Sequence, residues 1–299
     1  MRSTISVLLR SVFFCLLCGY CSSPAAASPV GAIRLGAYEG TRTDATHLIR
    51  IYSPWYPGQY LSINFPEHCW GKGLPNVTHM SQTPITTPWR YNADSTEAVF
   101  ELQARPGVIY RSRARVDSMA VRLSLEIENK SDSAITDVRT LICLRPDQMA
   151  SFKEHSYDMT WVFVGGRPAH MDTDTHYDGP LPEGHAPSWA LRVAGVPDSL
   201  DFSGLSWFTP GGGPGRIVQE RAQPPLIALH ERGNEKRWLA TIWQPAKLVF
   251  SNPSIPCIHS DPLPPDCPPG QTVRVKGMVL FHDGDIESLL VRARKEMGL

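Results

Sequence analysis

Met119-Ala120-Val121-Arg122-Leu123-Ser124-Leu125-Glu126-Ile127-Glu128 alternates apolar and polar side chains without a break. Successive residues of a strand point to opposite faces. Val121, Leu123, Leu125 and Ile127 therefore share one face, and Arg122, Ser124, Glu126 and Glu128 share the other. That is the signature of a half-buried β-strand. Asn129-Lys130-Ser131-Asp132 reads as a turn, after which Ile135–Leu144 runs back as a second strand, ending before Arg145-Pro146. Working outward, strands are predicted at His47–Tyr52, Ala98–Gln103, Val108–Arg115, Thr160–Val164, Trp189–Val193, Leu226–His230, Trp238–Trp243 and Val273–Phe281. Gly, Pro and Asn separate them, as in a sandwich or barrel. One helix is predicted: Asp285 caps it, and Ile286, Leu289, Leu290 and Ala293 form its apolar stripe through Met297. The expected fold is all-β, a large antiparallel β-sandwich with one C-terminal helix.

The first 27 residues carry the layout of a secretory signal. Arg2 and Arg10 flank Val7-Leu8-Leu9, an apolar run continues through Val12–Cys18, and Ala25-Ala26-Ala27 closes it. Cleavage is expected near Ala27–Ser28. Residues 28–299 then form a single β-sandwich domain, secreted or periplasmic, with no membrane span after cleavage. Cys21 raises the question of a lipoprotein, but Cys18-Gly19-Tyr20 matches that pattern poorly. The chain holds 29 Lys+Arg and 29 Asp+Glu, so nothing marks a basic face and nucleic acid is not an expected partner.

Cys15, Cys18 and Cys21 leave with the signal, and Cys69, Cys143, Cys257 and Cys267 remain. In an oxidising compartment an even number suggests disulfides, and Cys257–Cys267 encloses a proline-rich loop. Cys143, in an apolar strand, reads as a buried thiol. No C-x-x-C pair survives maturation, so the spacing gives no structural zinc signature, and no metal or cofactor is expected. Asn76-Val77-Thr78 and Asn129-Lys130-Ser131 are formal glycosylation sites. The glycine-rich Thr209–Gly215 loop lacks the Lys-Ser/Thr of a phosphate-binding loop.

Asn252–Gly270 holds His259, Asp261 and Asp266 in a frame of seven prolines. Proline fixes φ, so such a loop can hold His259 and Asp261 still as a general acid/base pair. The rival reading is a rigid connection before the last strand. Asp261-Pro262, Pro265-Asp266 and Pro269-Gly270, leading into a strand that ends at Phe281, together with the Val121–Leu144 strand pair, resemble the galactose mutarotase-like (aldose 1-epimerase-like) super-sandwich family. The resemblance implies that fold, a sugar substrate, and for Asp261 the place of the family's base on the anomeric hydroxyl, with Asp where the family has Glu. The family's central histidine motif has no clear copy here, so simple aldose epimerisation is not implied.

Three further clusters stand out. His170, Asp172, Asp174, His176 and Asp178 would form one polar stripe on an extended strand, suited to a divalent metal or to a general acid at His170 or His176. An exposed Asp-rich turn is the alternative. His68, Trp70, His79, Trp89 and Arg90 combine aromatic faces with polar groups that suit sugars, unless the two tryptophans are core. Lys153-Glu154-His155 follows a strand and is either a binding loop or a solvated triplet. His230 reads as a satisfied core histidine, and no Gly-x-Ser-x-Gly elbow occurs.

The expectation is a secreted carbohydrate-active protein, an epimerase, lyase or hydrolase working by acid/base catalysis on a mono- or oligosaccharide. Asp261 or His259 accepts the proton and His170 or His176 donates it. His79, Trp89, Arg90, His155 and Trp70 hold the substrate. The alternatives are a non-catalytic glycan- or protein-binding envelope module relying on Trp89 and Trp70, and a metal-dependent enzyme using the Asp172–Asp178 stripe.

Overall fold

The computed structural model describes residues 31–37, 48–78, 89–146, 148–176, 188–200 and 216–299. Residues 1–30, which include the predicted secretory signal, and His79, Asp178 and the Thr209–Gly215 loop lie outside them. Gly31–Leu299 is one compact unit. Its strands are β1 (Arg34–Ala37), β2 (Leu48–Tyr52), β3 (Tyr60–Lys72), β4 (Leu74–Thr78), β5 (Arg90–Tyr91), β6 (Glu97–Arg105), β7 (Val108–Asp117), β8 (Ala120–Asn129), β9 (Thr136–Arg145), β10 (Thr160–Val164), β11 (Arg167–His170), β12 (Trp189–Val193), β13 (Arg216–Glu231), β14 (Asn234–Gln244), β15 (Ala246–Asn252), β16 (Cys257–Pro262) and β17 (Thr272–Asp283), followed by helix α1 (Ile286–Met297).

The strands form two layers. The first runs β1-β2-β3-β9-β16-β15-β12, with β4 folded back beside β3. The second runs β5-β6-β7-β8-β17-β14-β13-β10-β11. Strand β13 links them: Arg216–Ala222 pairs with β12, the one parallel ladder among the described residues, and Leu226–Glu231 pairs with β14. Pro224 and Pro225 lie between the halves. Neither can donate to a ladder, so the chain leaves one layer for the other there. The main core fills the space between the layers, with Ile49, Ile63, Ile142, Ile258 and Leu191 from the first and Phe100, Tyr110, Leu125, Val279 and Leu239 from the second. Gly277 stands opposite Trp243 in the β14–β17 ladder. A Cβ there would lie 2.3 Å from the indole, so glycine is what lets Trp243 be fully buried.

The alternation in β8 is realised: Val121, Leu123, Leu125 and Ile127 enter the core, and the polar set faces out. Ile135–Leu144 is a strand, but it does not return along β8. It crosses to the first layer and pairs with β3 and β16. Asn129 builds the corner. Its amide donates to the carbonyls of Ser133 and Cys267, both at 2.8 Å, and its Oδ1 accepts from Ser131 N at 3.1 Å. Fully buried and bonded, Asn129 presents no free amide to a glycosyltransferase.

Helix α1 starts at Asp285, whose carboxylate accepts from Ser288 N at 2.8 Å, and stops at Gly298 in the left-handed region (φ 75°). Ile286, Leu289, Leu290 and Ala293 pack on Trp238, Ala240, Met278 and Leu280, outside the second layer. Burying each of the three large side chains contributes roughly 1.5–3 kcal/mol.

Candidate functional site

The proline-framed segment differs from the expected loop. Its prolines bound a strand instead of breaking one, and all six residues of β16 are buried between β15 and β9. Ile258 belongs to the inter-layer core. By alternation Cys257, His259 and Asp261 point to the opposite side, the outer face of the first layer. His259 stands opposite Cys143 of β9 and Phe250 of β15, and Cys143 stands opposite Asn64 of β3.

On that face the Phe250 and His259 rings stack at 3.7 Å, 20° from parallel. Nδ1 of His259 lies 3.5 Å from Asp261 Oδ1. Its Nε2 lies 3.3 Å from Cys257 Sγ and 3.9 Å from Glu67 Oε2. Asp261 Oδ1 also accepts from Ile142 N at 3.1 Å, so the carboxylate takes the place of a backbone carbonyl where the short β9–β16 ladder ends. Lys247, buried, donates to Thr140 O at 2.7 Å. Burial pulls its ammonium down to about 8, against the opposing pull of Asp261. Burial also works against charge on His259, but Cys143 and Asp261 outweigh it and lift the imidazole to about 10. Asn64 Oδ1, His259 Nδ1 and Asp261 Oδ2 are buried and have no hydrogen-bond partner among the described residues.

Glu67 enters through a bulge. The β3–β9 ladder shifts register between Asn64 and His68, around Pro66. Bulges re-aim side chains, and here the result is a carboxylate next to His259. Glu67 keeps 22% of its side chain exposed, against 2% for His259 and none for Asp261. Trp70 packs half-buried beside Leu141, Leu248 and Phe250, with His68 edge-on to its ring at 6.2 Å. Exposed His155 bonds Pro253 O at 3.1 Å through Nδ1, at the β15–β16 turn.

The structure thus gathers His259, Asp261, Trp70 and, at the rim, His155. The other predicted residues lie elsewhere. Trp89 is a core side chain, tilted against Phe65 and Phe100 at 6.0 and 5.7 Å. Arg90 is exposed on β5, which pairs with β6. His170 packs edge-on to Trp161, which lies against the cluster under α1, outside the second layer. It is therefore on the far side of the core from Asp261, and the two do not form a donor–acceptor pair. The predicted polar stripe is a turn, not a strand: Asp174 accepts from His170 N at 2.7 Å, and Asp172 pairs with His170 Nδ1 at 2.8 Å. His176, largely exposed, is held by Glu220 at 2.6 Å. Glu154 of the Lys153–His155 triplet is buried, accepting from Met159 N and Thr160 Oγ1. His230 bonds backbone carbonyls of Glu231 and Asp158.

The four described cysteines are free and buried, so the expected Cys257–Cys267 bridge is not formed. Strand β16 carries the chain away from Cys257, and Cys267 sits by Ile127 O and Gln271 O at 3.6 and 3.3 Å. A disulfide needs Cα atoms within about 7 Å. Burial pushes the Cys69 thiol up to about 12, so it is no nucleophile.

No family model and no curated protein matches the chain. Among solved structures it is similar to a galactose mutarotase related enzyme from Lactobacillus acidophilus (11% identity, 80% of this chain and 92% of that one, TM-score 0.40). It is also similar to the Slr1438 protein from Synechocystis sp. PCC 6803 (9%, 87% and 100%, TM-score 0.41). A third likeness is to an alpha-N-acetylgalactosaminidase from Bifidobacterium bifidum (12%, 89% and 38%, TM-score 0.44). At such identities the chemistry must come from this chain's own residues. No helix among the described residues is long and apolar enough to cross a membrane.

Proposed function

We propose that this is an exported carbohydrate-active protein that binds a mono- or oligosaccharide over the outer face of the first layer, with Glu67 exchanging the proton. The observation that carries this reading is the Glu67–His259–Asp261 trio, in which Glu67 alone reaches solvent. A carboxylate within hydrogen-bond reach of a sugar hydroxyl can act as general base. His259 and Asp261, too buried to touch a sugar, act as positioning residues that fix the charge beside it. Trp70 offers an indole face at the same rim for the sugar's CH surface. Export is supported by the leader's charged, apolar and Ala-Ala-Ala regions.

The test is a mutarotation and glycan-binding screen on the full chain. Glu67→Gln is expected to cut turnover by about 10²-fold or more, with sugar affinity changed much less, and Trp70→Ala to weaken affinity. Unchanged turnover in Glu67→Gln sinks the catalytic role, and a wild-type protein that engages no sugar sinks the whole reading. One observation favours a non-catalytic glycan-binding module: Asp261 already bonds the β9 backbone and is fully buried. In that reading affinity rests on Trp70 without Trp89, and Glu67→Gln leaves it intact.

A further inference from the structure

We infer that Cys143, Cys257 and His259 form a binding site for a soft divalent metal ion, zinc first among them. The two thiol sulfurs and an imidazole nitrogen lie within 4.8 Å of one another, and all three residues are buried. In a tetrahedral zinc site, bonds of about 2.3 Å to sulfur and 2.0 Å to nitrogen set neighbouring donors about 3.5 Å apart. The Cys257 Sγ–His259 Nε2 separation of 3.3 Å is close to that without rearrangement. Two thiolates and one imidazole are a soft set that suits zinc over calcium or magnesium.

Strand geometry supplies the donors. Cys257 and His259 are two apart on β16 and share a face. Cys143 stands directly opposite His259 on β9. Cys143 and Cys257 are therefore diagonal neighbours, whose Cα atoms lie about 7–8 Å apart. That exceeds the usual disulfide span of about 4.4–6.8 Å, so the pair suits a bridging ion better than an S–S bond.

The surroundings supply the second, independent observation. A metal-bound histidine commonly directs its other ring nitrogen at a carboxylate, which fixes tautomer and orientation. Here Nε2 faces the sulfurs while Nδ1 faces Asp261 at 3.5 Å. Both His259 Nδ1 and Asp261 Oδ2 are buried without a hydrogen-bond partner among the described residues. Phe250, stacked on the ring, holds its plane. Glu67 Oε2 lies 3.9 Å from the same Nε2. The sequence concealed the site because its ligands come from two strands over a hundred residues apart, with no C-x-x-C spacing. The inference does not depend on the sugar reading.

The test is metal analysis of the reduced full chain, with Zn²⁺ and Co²⁺ as probes. We expect about one equivalent of tightly held zinc, and a Co²⁺ form with tetrahedral d–d bands and sulfur-to-cobalt charge transfer. Cys143→Ser and Cys257→Ser should each abolish that charge-transfer pattern, while Cys267→Ser, whose thiol lies by Ile127 O, should keep it. If the first two variants fail to fold, thiol modification of the wild-type protein decides: zinc should shield Cys143 and Cys257. The inference is overturned by a folded, reduced protein that takes up no zinc, by uptake insensitive to both serine variants, by modification of these thiols unchanged by zinc, or by peptide mapping that finds Cys143 and Cys257 joined to each other.

Discussion

The two outer faces of this sandwich hold charge in opposite ways. Outside the second layer, Arg111 sits among Glu101, Glu126 and Glu128 at 2.5, 2.8 and 2.9 Å. Arg274 adds a second cation on Glu126, and Arg122 pairs with Asp117 at 2.5 Å. These groups keep part of their surface in water, and Arg111, Arg122, Glu126 and Arg274 line an open cleft of about 720 Å³. Outside the first layer, His259 and Asp261 are at most 2% exposed, and each has a polar atom with no hydrogen-bond partner among the described residues. The open cleft and the under-satisfied groups are therefore on different faces. Paired surface charges explain themselves as a solvated sheet face. Buried, imperfectly bonded ones carry a cost that a purely structural role would have removed. The groups we propose for chemistry are accordingly the driest, His259 and Asp261, with Glu67 at their edge.

The comparison is broken most severely by removing Asp261. Asp261→Ala leaves His259 and Lys247 buried without their counter-charge and Ile142 N–H without its acceptor. The expected loss is about 3–5 kcal/mol of unfolding free energy, the range for stripping one partner from a buried ion pair. Chemical denaturation of wild type and variant measures it. A loss under about 1 kcal/mol would mean that water already reaches this face and that the contrast between the two sides is false.

The opposite face should respond mildly. Arg111→Ala removes three carboxylate contacts at once, but they are partly exposed, and such pairs are worth about 0.2–1 kcal/mol each. A total near 1–2 kcal/mol is expected, read from the same denaturation curves. A cost rivalling that of Asp261→Ala would show that the two faces are equally dry.

How much of this was legible from the sequence varies strand by strand. Strand β8 was read by strict alternation, and β10 and β12 at their observed boundaries. Strands β15 and β16 were not. All seven residues of β15 and all six of β16 are buried, so no polar face marks their period. Pro66 lies inside β3, and Pro224 and Pro225 interrupt β13, so turn chemistry masked β3 and the first half of β13. Of the site, His259 and Asp261 were readable from the proline frame around them, and Asp261 also from the family resemblance. Cys143 and Glu67 were not, because only the register of β9 and β3 against their neighbours brings them there. His170 failed for the same reason: nothing local says which side of a sandwich a hairpin will face.

The finest test uses acid. Burial acts to raise Glu126, but hydrogen bonds from Arg274 and Arg111 outweigh it and hold the carboxylate below its ordinary value. Glu128 is held down by Lys130 and Arg111, and Asp117 by Arg122. A carboxylate lowered in the fold binds fewer protons there than in the unfolded chain. Its contribution is therefore complete above the ordinary carboxylate range and lost as pH falls through the folded value. Wild-type stability should decline as pH drops below about 4.5. Arg111→Ala releases Glu126 and Glu128 toward ordinary values, so the variant should be weaker at neutral pH yet decline less steeply in acid, and the two curves should converge. Urea midpoints measured from about pH 7 to pH 3 would show it. Parallel curves would mean that Arg111 does not hold these carboxylates ionised, and that this face is ordinary solvated surface without a working charge network.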